Sequence, residues 1–269
     1  MGEKGFRPTS PRLHRKSGKC ALCGRYSPLT LAHVPPRAAF NDGTGSLGGV
    51  DGDNALAYGR PRTGGLRIPA HCESCRAQTS PWDDEYIHWA RQFAGILLES
   101  EWKGQRTEVS GKLHNVRPGR FIRAALAGMT ALAPNLIDTH PAFVRTIREG
   151  VADVMPPDLR FLVGIAPDRT TAHIEGAHGG IVASVSAGRE LSRPTLSAVI
   201  HFPPFSLLLA DEALTGDLPH TDASQWLEFD VNEIVAEIEF VAIPVVVLPD
   251  TPSGRPVPLS MLRFQSATV

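Results

Sequence analysis

Four cysteines are the residues of this 269-residue chain whose spacing most directly indicates chemistry. They form two Cys-x-x-Cys pairs and are Cys20, Cys23, Cys72 and Cys75. Each pair makes a tight turn that points both sulfurs at one ion, so two pairs can hold one tetrahedral Zn²⁺ through four thiolates. Such a closed site is structural rather than catalytic. The pattern therefore predicts a structural zinc that ties residues 20–75 into one unit, with redox or unligated thiols as the alternatives.

A histidine stands between the two cysteine pairs, in the stretch LTLAHVPPRAAF. The imidazole of His33 titrates near neutral pH and suits a general base. The alternative is a structural histidine that hydrogen-bonds a backbone carbonyl beside the zinc. Short apolar stretches around LTLAHV and LRIPA are predicted to pair as two strands, joined by a Gly-rich loop. The resulting hairpin would present His33 close to the metal.

A helix with a marked start follows the second cysteine pair. Its sequence is TSPWDDEYIHWARQFAGILLESEW, in which Ser80 is the predicted N-cap and Pro81 the first helical residue. Asp83 and Asp84 lie in the first turn, and Asp84 shares one helical face with His88 at i, i+4. Capping and the helix dipole favour carboxylates there without any metal. The competing interpretation is that Asp83, Asp84 and His88 bind a second, catalytic metal.

The order of these pieces resembles the HNH endonucleases, the zinc-stapled branch of the ββα-metal nucleases. The matching stretches are CALCG, LTLAHVPPRAAF and IPAHCESC followed by DDEYIHWARQF, and a bacterial subgroup of the family carries a similar HVPP stretch. The resemblance implies a metal-dependent hydrolase that cuts DNA phosphodiester bonds. His33 would activate the attacking water, and Mg²⁺ or another divalent metal would stabilise the charge on the leaving oxygen.

The sequence departs from the family pattern at the positions that would bind the catalytic metal. The acidic residue that usually precedes the histidine is replaced by Ala32, and the polar residue before the second strand falls near Gly65. The Asn or His that follows the second cysteine pair falls on Arg76, which could instead bring positive charge to a phosphate. The alternative to an active endonuclease is therefore a non-catalytic, zinc-stabilised module that binds nucleic acid or assembles with a protein.

Positive charge is concentrated at the N-terminal end of a chain whose formal net charge is −1. Residues 1–40 carry eight Lys or Arg and one Glu, which leaves 27 − 8 = 19 basic and 28 − 1 = 27 acidic residues for the rest. A basic segment suits a polyanion such as nucleic acid, and DNA is the expected partner. Arg37, Arg67 and Arg76 are candidate phosphate contacts, although scattered surface arginines are common.

The second half of the chain predicts structure without pointing to a function. Helices are expected at 117–134 and at 138–150, the second ending at Gly150. From about residue 158 the pattern changes to short apolar strands separated by turns, one of them at 179–188. The expected fold class is α+β, with an N-terminal zinc-stapled ββα unit, then helices, then a mainly antiparallel, strand-rich half.

These patterns predict three parts along the chain. They are a basic arm at 1–17, an HNH-like zinc-binding domain with its following helix at 18–105, and an α+β domain of unknown role at 106–269. The last part is a candidate surface for a homo-oligomer or a protein partner. No run approaches the roughly 18 apolar residues of a membrane span, and the basic start lacks an apolar signal core. The expected location is the cytoplasm, without a membrane partner.

Overall fold

The computed structural model describes residues 17–41, 48–50, 56–58, 67–99, 108–167, 173–176, 197–212 and 219–246. Its elements are helices and antiparallel sheets, which confirms the α+β class. The predicted arm lies outside the described residues except for Ser17, and the strand predicted at 179–188 lies outside them entirely. In the described part of the chain, no helix is long and apolar enough to cross a membrane.

The N-terminal strands bring the cysteine pairs together. They are β1 (Ser17–Lys19), β2 (Tyr26–His33), β3 (Gly48–Val50), β4 (Leu56–Tyr58) and β5 (Arg67–Cys72). β1, β2 and β5 form an antiparallel sheet in that order, and β3 pairs with β4. The predicted pairing around LTLAHV and LRIPA is therefore confirmed, with an irregularity in register between Thr30 and Leu31. Cys20 follows β1 and Cys72 ends β5, so the sheet carries the first cysteine of each pair.

The helix after the second cysteine pair begins earlier than predicted. α1 (Glu73–Thr79) starts directly after β5, a 3-10 turn spans Ser80–Trp82, and α2 (Asp83–Glu99) follows. Ser80 has helical dihedral angles, φ −59° and ψ −30°, so its prediction as an N-cap was wrong. The proline at position 81 lacks an N–H, and the helical ladder tightens there into a 3-10 turn instead of starting afresh.

The C-terminal elements form a five-stranded antiparallel sheet, a two-stranded ribbon and three helices. They are β6 (Glu108–Val116), α3 (Pro118–Leu132), α4 (Leu136–Thr139), α5 (Pro141–Glu149), β7 (Leu159–Ile165), β8 (His173–Gly176), β9 (Ser197–Phe202), β10 (Phe205–Asp211), β11 (Thr221–Asp222) and β12 (Val235–Pro244). The sheet order is β11-β7-β10-β9-β8, and β6 pairs with β12. α3 and α5 confirm the two predicted helices, and α5 ends at Gly150 with a left-handed φ of 72°.

Aromatic rings join the N-terminal and C-terminal halves into one core. Trp89 of α2 stacks on Phe121 of α3 with ring centroids 4.1 Å apart. Phe93 of α2 packs edge to face on Phe205 of β10 at 5.0 Å and against Phe240 of β12 at 5.2 Å. Burial of such rings is a dominant favourable contribution to folding. The described core therefore crosses the boundary between the second and third predicted parts, and that boundary stays a prediction.

A buried carboxylate fixes α2 against the start of α3. Glu85 is 3% exposed and accepts hydrogen bonds from Trp89 Nε1 at 2.9 Å and from the backbone nitrogen of Arg117 at 2.8 Å. The Arg117 guanidinium lies 3.3 Å from the second carboxylate oxygen. Because these groups satisfy Glu85, this acid has a structural role, and it holds α2 in the orientation that places Asp83 and Tyr86.

Candidate metal centre and adjacent pocket

The four predicted zinc ligands come together at one end of the N-terminal sheet. Their sulfurs all lie within 4.8 Å of one another. In the first knuckle, the nitrogen of Gly24 donates to the carbonyl of Cys20 at 2.8 Å, and Gly24 adopts a φ of 70° that glycine allows. In the second knuckle, Cys72 ends β5 and Cys75 lies in the first turn of α1. Two local turns thus aim four sulfurs at one point.

The hydrogen bonds around the sulfurs suit deprotonated ligands. The backbone nitrogen of Cys72 donates to the sulfur of Cys20 at 3.3 Å. A hydrogen bond from the Cys75 side chain lowers the pKa of Cys20 to about 4, and the same interaction raises the pKa of Cys75. Zn²⁺ binds thiolates and displaces such shared protons. The donor set therefore fits a structural zinc, whose four positions would all be filled by protein.

Arg25 is a charged neighbour of the metal centre that the sequence pattern did not single out. Its side chain is exposed, and its Nη2 lies 3.4 Å from the hydroxyl of Ser74. Hydrogen bonding to Cys23 and the negative charges of Cys23 and Cys72 raise the pKa of Arg25. A zinc ion with four thiolates carries a net charge of about −2, which a guanidinium partly offsets. In the sequence, only the position of Arg25 directly after Gly24 of the first cysteine pair could have suggested that Arg25 offsets the charge of the sulfurs.

His33 ends β2 beside a pocket. The pocket lies between the zinc unit, which is formed by β1, β2, β5 and α1, and the elements α3 and β9. We call it the His33 pocket; it is partly open to solvent, and its enclosed part has room for about one water molecule. Its polar lining residues are His33, His71, Arg76, Asp83 and Tyr86. Its apolar walls come from the end of β2, from small residues of α3 and from Ile200 of β9. The pocket thus gathers side chains from six elements.

An ion pair occupies one side of the His33 pocket. The Nη2 atom of Arg76 donates to Oδ2 of Asp83 at 2.7 Å, and the two side chains are 29% and 21% exposed. Burial raises the pKa of Asp83, and the Arg76 charge partly opposes that shift. The guanidinium has five N–H donors, so the bond to Asp83 leaves donors that can face a ligand.

Two nearly inaccessible polar side chains also line the His33 pocket. His71 is 2% exposed, and its Nε2 lies 3.2 Å from the hydroxyl of Thr130 on α3. Burial lowers the pKa of His71 to about 4, so its ring is neutral at pH 7. Tyr86 is 1% exposed, and burial raises its pKa, which keeps its hydroxyl protonated. His71 Nδ1 and the Tyr86 hydroxyl are buried without a hydrogen-bond partner in the structure.

The structure does not bring the three predicted catalytic-metal residues together. Asp83 lines the His33 pocket, whereas Asp84 is exposed one position further along α2. His88 is also exposed, and its Nε2 lies 2.8 Å from the amide nitrogen of Gln92 and 3.3 Å from the carbonyl of His114. Among the described residues, only the four cysteines form a cluster of three or more possible metal ligands. Successive helical residues are rotated by about 100°, which separates Asp83 from its neighbour.

The three predicted phosphate contacts lie at different depths around His33. Arg67 is half-buried on β5 and pairs with His33 across the sheet. Arg37 is exposed in the turn that follows the two prolines. Arg76 alone of the three lines the His33 pocket. Ala32, at the position where the resembled family has an acid, is 2% exposed and has no side-chain oxygen for a metal.

The His33 pocket therefore combines an imidazole, a guanidinium held by one carboxylate, a buried phenol and a second, buried imidazole. Guanidinium and hydroxyl donors of this kind bind oxyanions, phosphate above all. A lone carboxylate that is already paired with arginine is a poor site for a divalent ion by itself. Comparisons with protein-family models, with curated proteins and with solved structures find no match to this chain.

Proposed function

We propose that this protein is a zinc-stapled, HNH-like nucleic-acid-binding protein, in which Arg76 binds a backbone phosphate at the His33 pocket. The observation that carries the proposal is the position of Arg76 in a pocket shared with His33 and Asp83. The resemblance to HNH proteins is supported by an antiparallel pair of strands, two cysteine knuckles and a helix in the expected order. A phosphate is the group of DNA that a guanidinium recognises best.

Partial burial makes Arg76 a stronger phosphate ligand than an exposed arginine. Its bond to Asp83 fixes the direction of the guanidinium plane, so less side-chain entropy is lost when a phosphate arrives. Its side chain is 29% exposed, so water screens the interaction less than at an open surface. Arg67 pairs with His33 across the sheet, and the exposed Arg37 directly follows Pro36 of the pocket lining, so both would extend the contact along the backbone.

We expect Arg76→Gln to weaken DNA binding by at least about tenfold, because charge-assisted hydrogen bonds contribute about 1.5–3 kcal/mol. The slope of log K against log salt concentration should also fall by about one unit, since one phosphate contact is lost. Fluorescence anisotropy with a labelled duplex at several salt concentrations measures both quantities.

The matched control is Arg148→Gln, because Arg148 is also a partly buried arginine in an ion pair. Its side chain is 27% exposed and pairs with Glu149 at the end of α5. This variant should bind DNA as tightly as the unmodified protein. Equal affinity of all three proteins, or equal losses in both variants, would contradict a specific role for Arg76.

A second candidate function is an active HNH-type endonuclease. One observation favours it, since His33 and the carboxylate of Asp83 line the same pocket. In this alternative, His33 would act as the general base, and Asp83 would leave Arg76 to help hold a divalent ion that would stabilise the charge on the leaving oxygen. The buried Ala32 leaves the expected acidic ligand missing, which is why binding without cleavage is the better-supported function.

Under this alternative, His33→Ala and Asp83→Asn would each reduce plasmid cleavage by at least about 100-fold, as expected for loss of a general base or a metal ligand. The measurement is nicking of supercoiled plasmid with Mg²⁺, Mn²⁺ or Ni²⁺. His88→Ala serves as control, because His88 is exposed and bonded to Gln92 rather than placed in the pocket. Absence of cleavage by the unmodified protein with every metal rules out the endonuclease and leaves the binding function.

A further inference from the structure

An aromatic side chain at the start of β2 is open to solvent close to the metal centre. Tyr26 is 78% exposed, the highest value among the large hydrophobic side chains in the described part of the chain. Pro28 is also exposed, and residues two apart in a strand share a face. On β1, the exposed residues Lys19 and Ser17 stand opposite Tyr26 and Pro28. The sheet thus presents an accessible ring with a lysine across from it.

Positive charge surrounds this ring. The sheet of β1, β2 and β5 contains Lys19 and Arg67 but no Asp or Glu, and the exposed Arg25 directly precedes Tyr26. Residues 1–16, which join β1 at Ser17, carry five Lys or Arg and one Glu. These charges exceed the charge of about −2 on a zinc ion with four thiolates. The surroundings of Tyr26 therefore suit a polyanion.

An acidic side chain near Tyr26 does not prevent this contact. Asp138 of α4 forms an ion pair with Lys19, and the two side chains are 60% and 48% exposed. Exposed ion pairs contribute little to stability because water screens them. A phosphate can therefore take the place of Asp138 as the partner of Lys19.

An exposed aromatic ring beside positive charge matches a nucleic-acid strand whose bases are unpaired. Stacking of one base on an aromatic side chain contributes about five- to 150-fold in affinity, and it tolerates any sequence because every base has a flat face. In a duplex, each base is paired and stacked between its neighbours, so a side chain on a sheet surface does not reach that face. Arg76 binds a phosphate in either form, whereas Tyr26 distinguishes the two.

Strand β2 connects Tyr26 to the His33 pocket. Tyr26 is its first residue and His33 its last, which separates them by about 23 Å at the usual rise of a strand. Leu31, between them, is 43% exposed and adds apolar surface for bases. Proteins that bind single strands use sites of about 4–16 nucleotides, so one bound strand can reach from the pocket to Tyr26.

We infer that the DNA bound by this protein is unpaired where it meets β2, and that one of its bases stacks on Tyr26. The inference rests on the proposed function, because it names the class of DNA whose phosphate Arg76 binds. Lys19 and Arg25 hold the phosphates on either side of the stacked base.

The test compares a labelled single strand of about 12 nucleotides and mixed sequence with the blunt duplex of the same sequence. Fluorescence anisotropy titrations should show at least about fivefold tighter binding of the single strand, as expected for one stacked base. Equal affinity for the two forms, or tighter binding of the duplex, would overturn the inference.

Tyr26→Ala is the decisive variant, because it removes the ring at an exposed position where substitutions barely affect folding. Affinity for the single strand should fall at least about fivefold, while affinity for the duplex stays the same. The slope of log K against log salt concentration should not change, since stacking releases no counterions, in contrast to Arg76→Gln. Tyr26→Phe keeps the ring and should bind both forms like the unmodified protein.

Val241→Ala is the matched control in the other half of the chain. Val241 is 76% exposed on β12, where the neighbouring charges include Glu237 and Glu239. An apolar side chain in these acidic surroundings should not contact DNA, so both affinities should stay the same. Equal losses in Val241→Ala and Tyr26→Ala would contradict a specific role for Tyr26.

The two levels of the proposal fail in different ways. If Tyr26→Ala binds the single strand as tightly as the unmodified protein while Arg76→Gln still binds DNA more weakly, base stacking is overturned and phosphate binding by Arg76 stands. Absence of binding to both forms at low salt overturns the proposed function together with this inference.

Discussion

Removing the metal, by chelation or by Cys75→Ser, is expected to unfold the zinc unit and to lower the stability of the whole chain. Cys75 is 3% exposed and Cys20 is fully buried, and all four sulfurs lie within 4.8 Å of one another, so loss of the ion would leave buried, closely packed ligand atoms with nothing to bind. Structural zinc contributes roughly 10–16 kcal/mol of binding free energy in zinc-finger peptides. Even a third of this approaches the roughly 5–15 kcal/mol by which a whole domain is stable.

The loss should spread beyond the cysteines because the metal centre belongs to the main core. Cys20, Leu22, Cys72 and Cys75 are members of the same buried cluster as the aromatic residues of α2 and α3. β2 carries His33 and α1 carries Arg76, so separation of these two elements would disrupt the His33 pocket. Metal removal is therefore expected to abolish DNA binding as well as to lower the unfolding midpoint.

The measurement combines metal analysis with thermal unfolding. The purified protein should contain about one zinc per chain, and a chelator or Cys75→Ser should remove it. Ser74→Ala is the control, because the Ser74 hydroxyl hydrogen-bonds the sulfur of Cys72, at 3.2 Å, and Nη2 of Arg25, at 3.4 Å, but supplies no metal ligand. A chain without bound metal, whose unfolding midpoint is the same with and without chelator, would contradict the structural zinc.

The cluster of four cysteines was predictable from sequence because its geometry is local. Each Cys-x-x-Cys pair forms within one turn, and the chemistry of tetrahedral zinc then requires the two turns to meet. The same local reasoning failed at Ser80. Serine is a residue type that often caps helices, but in the folded chain the helix has already begun before this position. α1 already starts after Cys72, at the metal centre, so the chain is helical when it reaches Ser80.

The His33 pocket was not predictable because its members come from distant parts of the chain. His71 and Tyr86 were not among the predicted site residues, because only the fold brings His71 to Thr130 and both residues to the pocket wall that α3 supplies. Arg76 and Asp83 stand seven residues apart across a 3-10 turn, a spacing that regular helical periodicity does not place in contact. The pairing of Asp84 with His88 followed the helix pattern, but both of these side chains are exposed, whereas Asp83 lines the His33 pocket.

The second large effect is expected at Arg123, a fully buried arginine of α3 that joins three segments of the chain. Its guanidinium donates to the carbonyls of Gly119 at 2.8 Å, Leu227 at 2.9 Å and Phe229 at 3.0 Å, and also to the carbonyl of Val151. Burial lowers its pKa to about 10, so Arg123 is still protonated at pH 7. One side chain thus satisfies carbonyls of α3, of the segment after α5 and of the segment before β12.

Arg123→Met is expected to cost about 3–5 kcal/mol of unfolding free energy, because it leaves buried carbonyls without donors at a site that a flexible apolar chain fills only in part. Urea denaturation at pH 7 measures the loss. Arg120→Met is the matched control on the same helix, since Arg120 is only partly buried and bonds the carbonyl of Val231 and the side chain of Asn232. That variant should lose about 1 kcal/mol or less. If both variants unfold at the same urea concentration, Arg123 does not hold the three segments together, and the C-terminal half must be stabilised by its aromatic core alone.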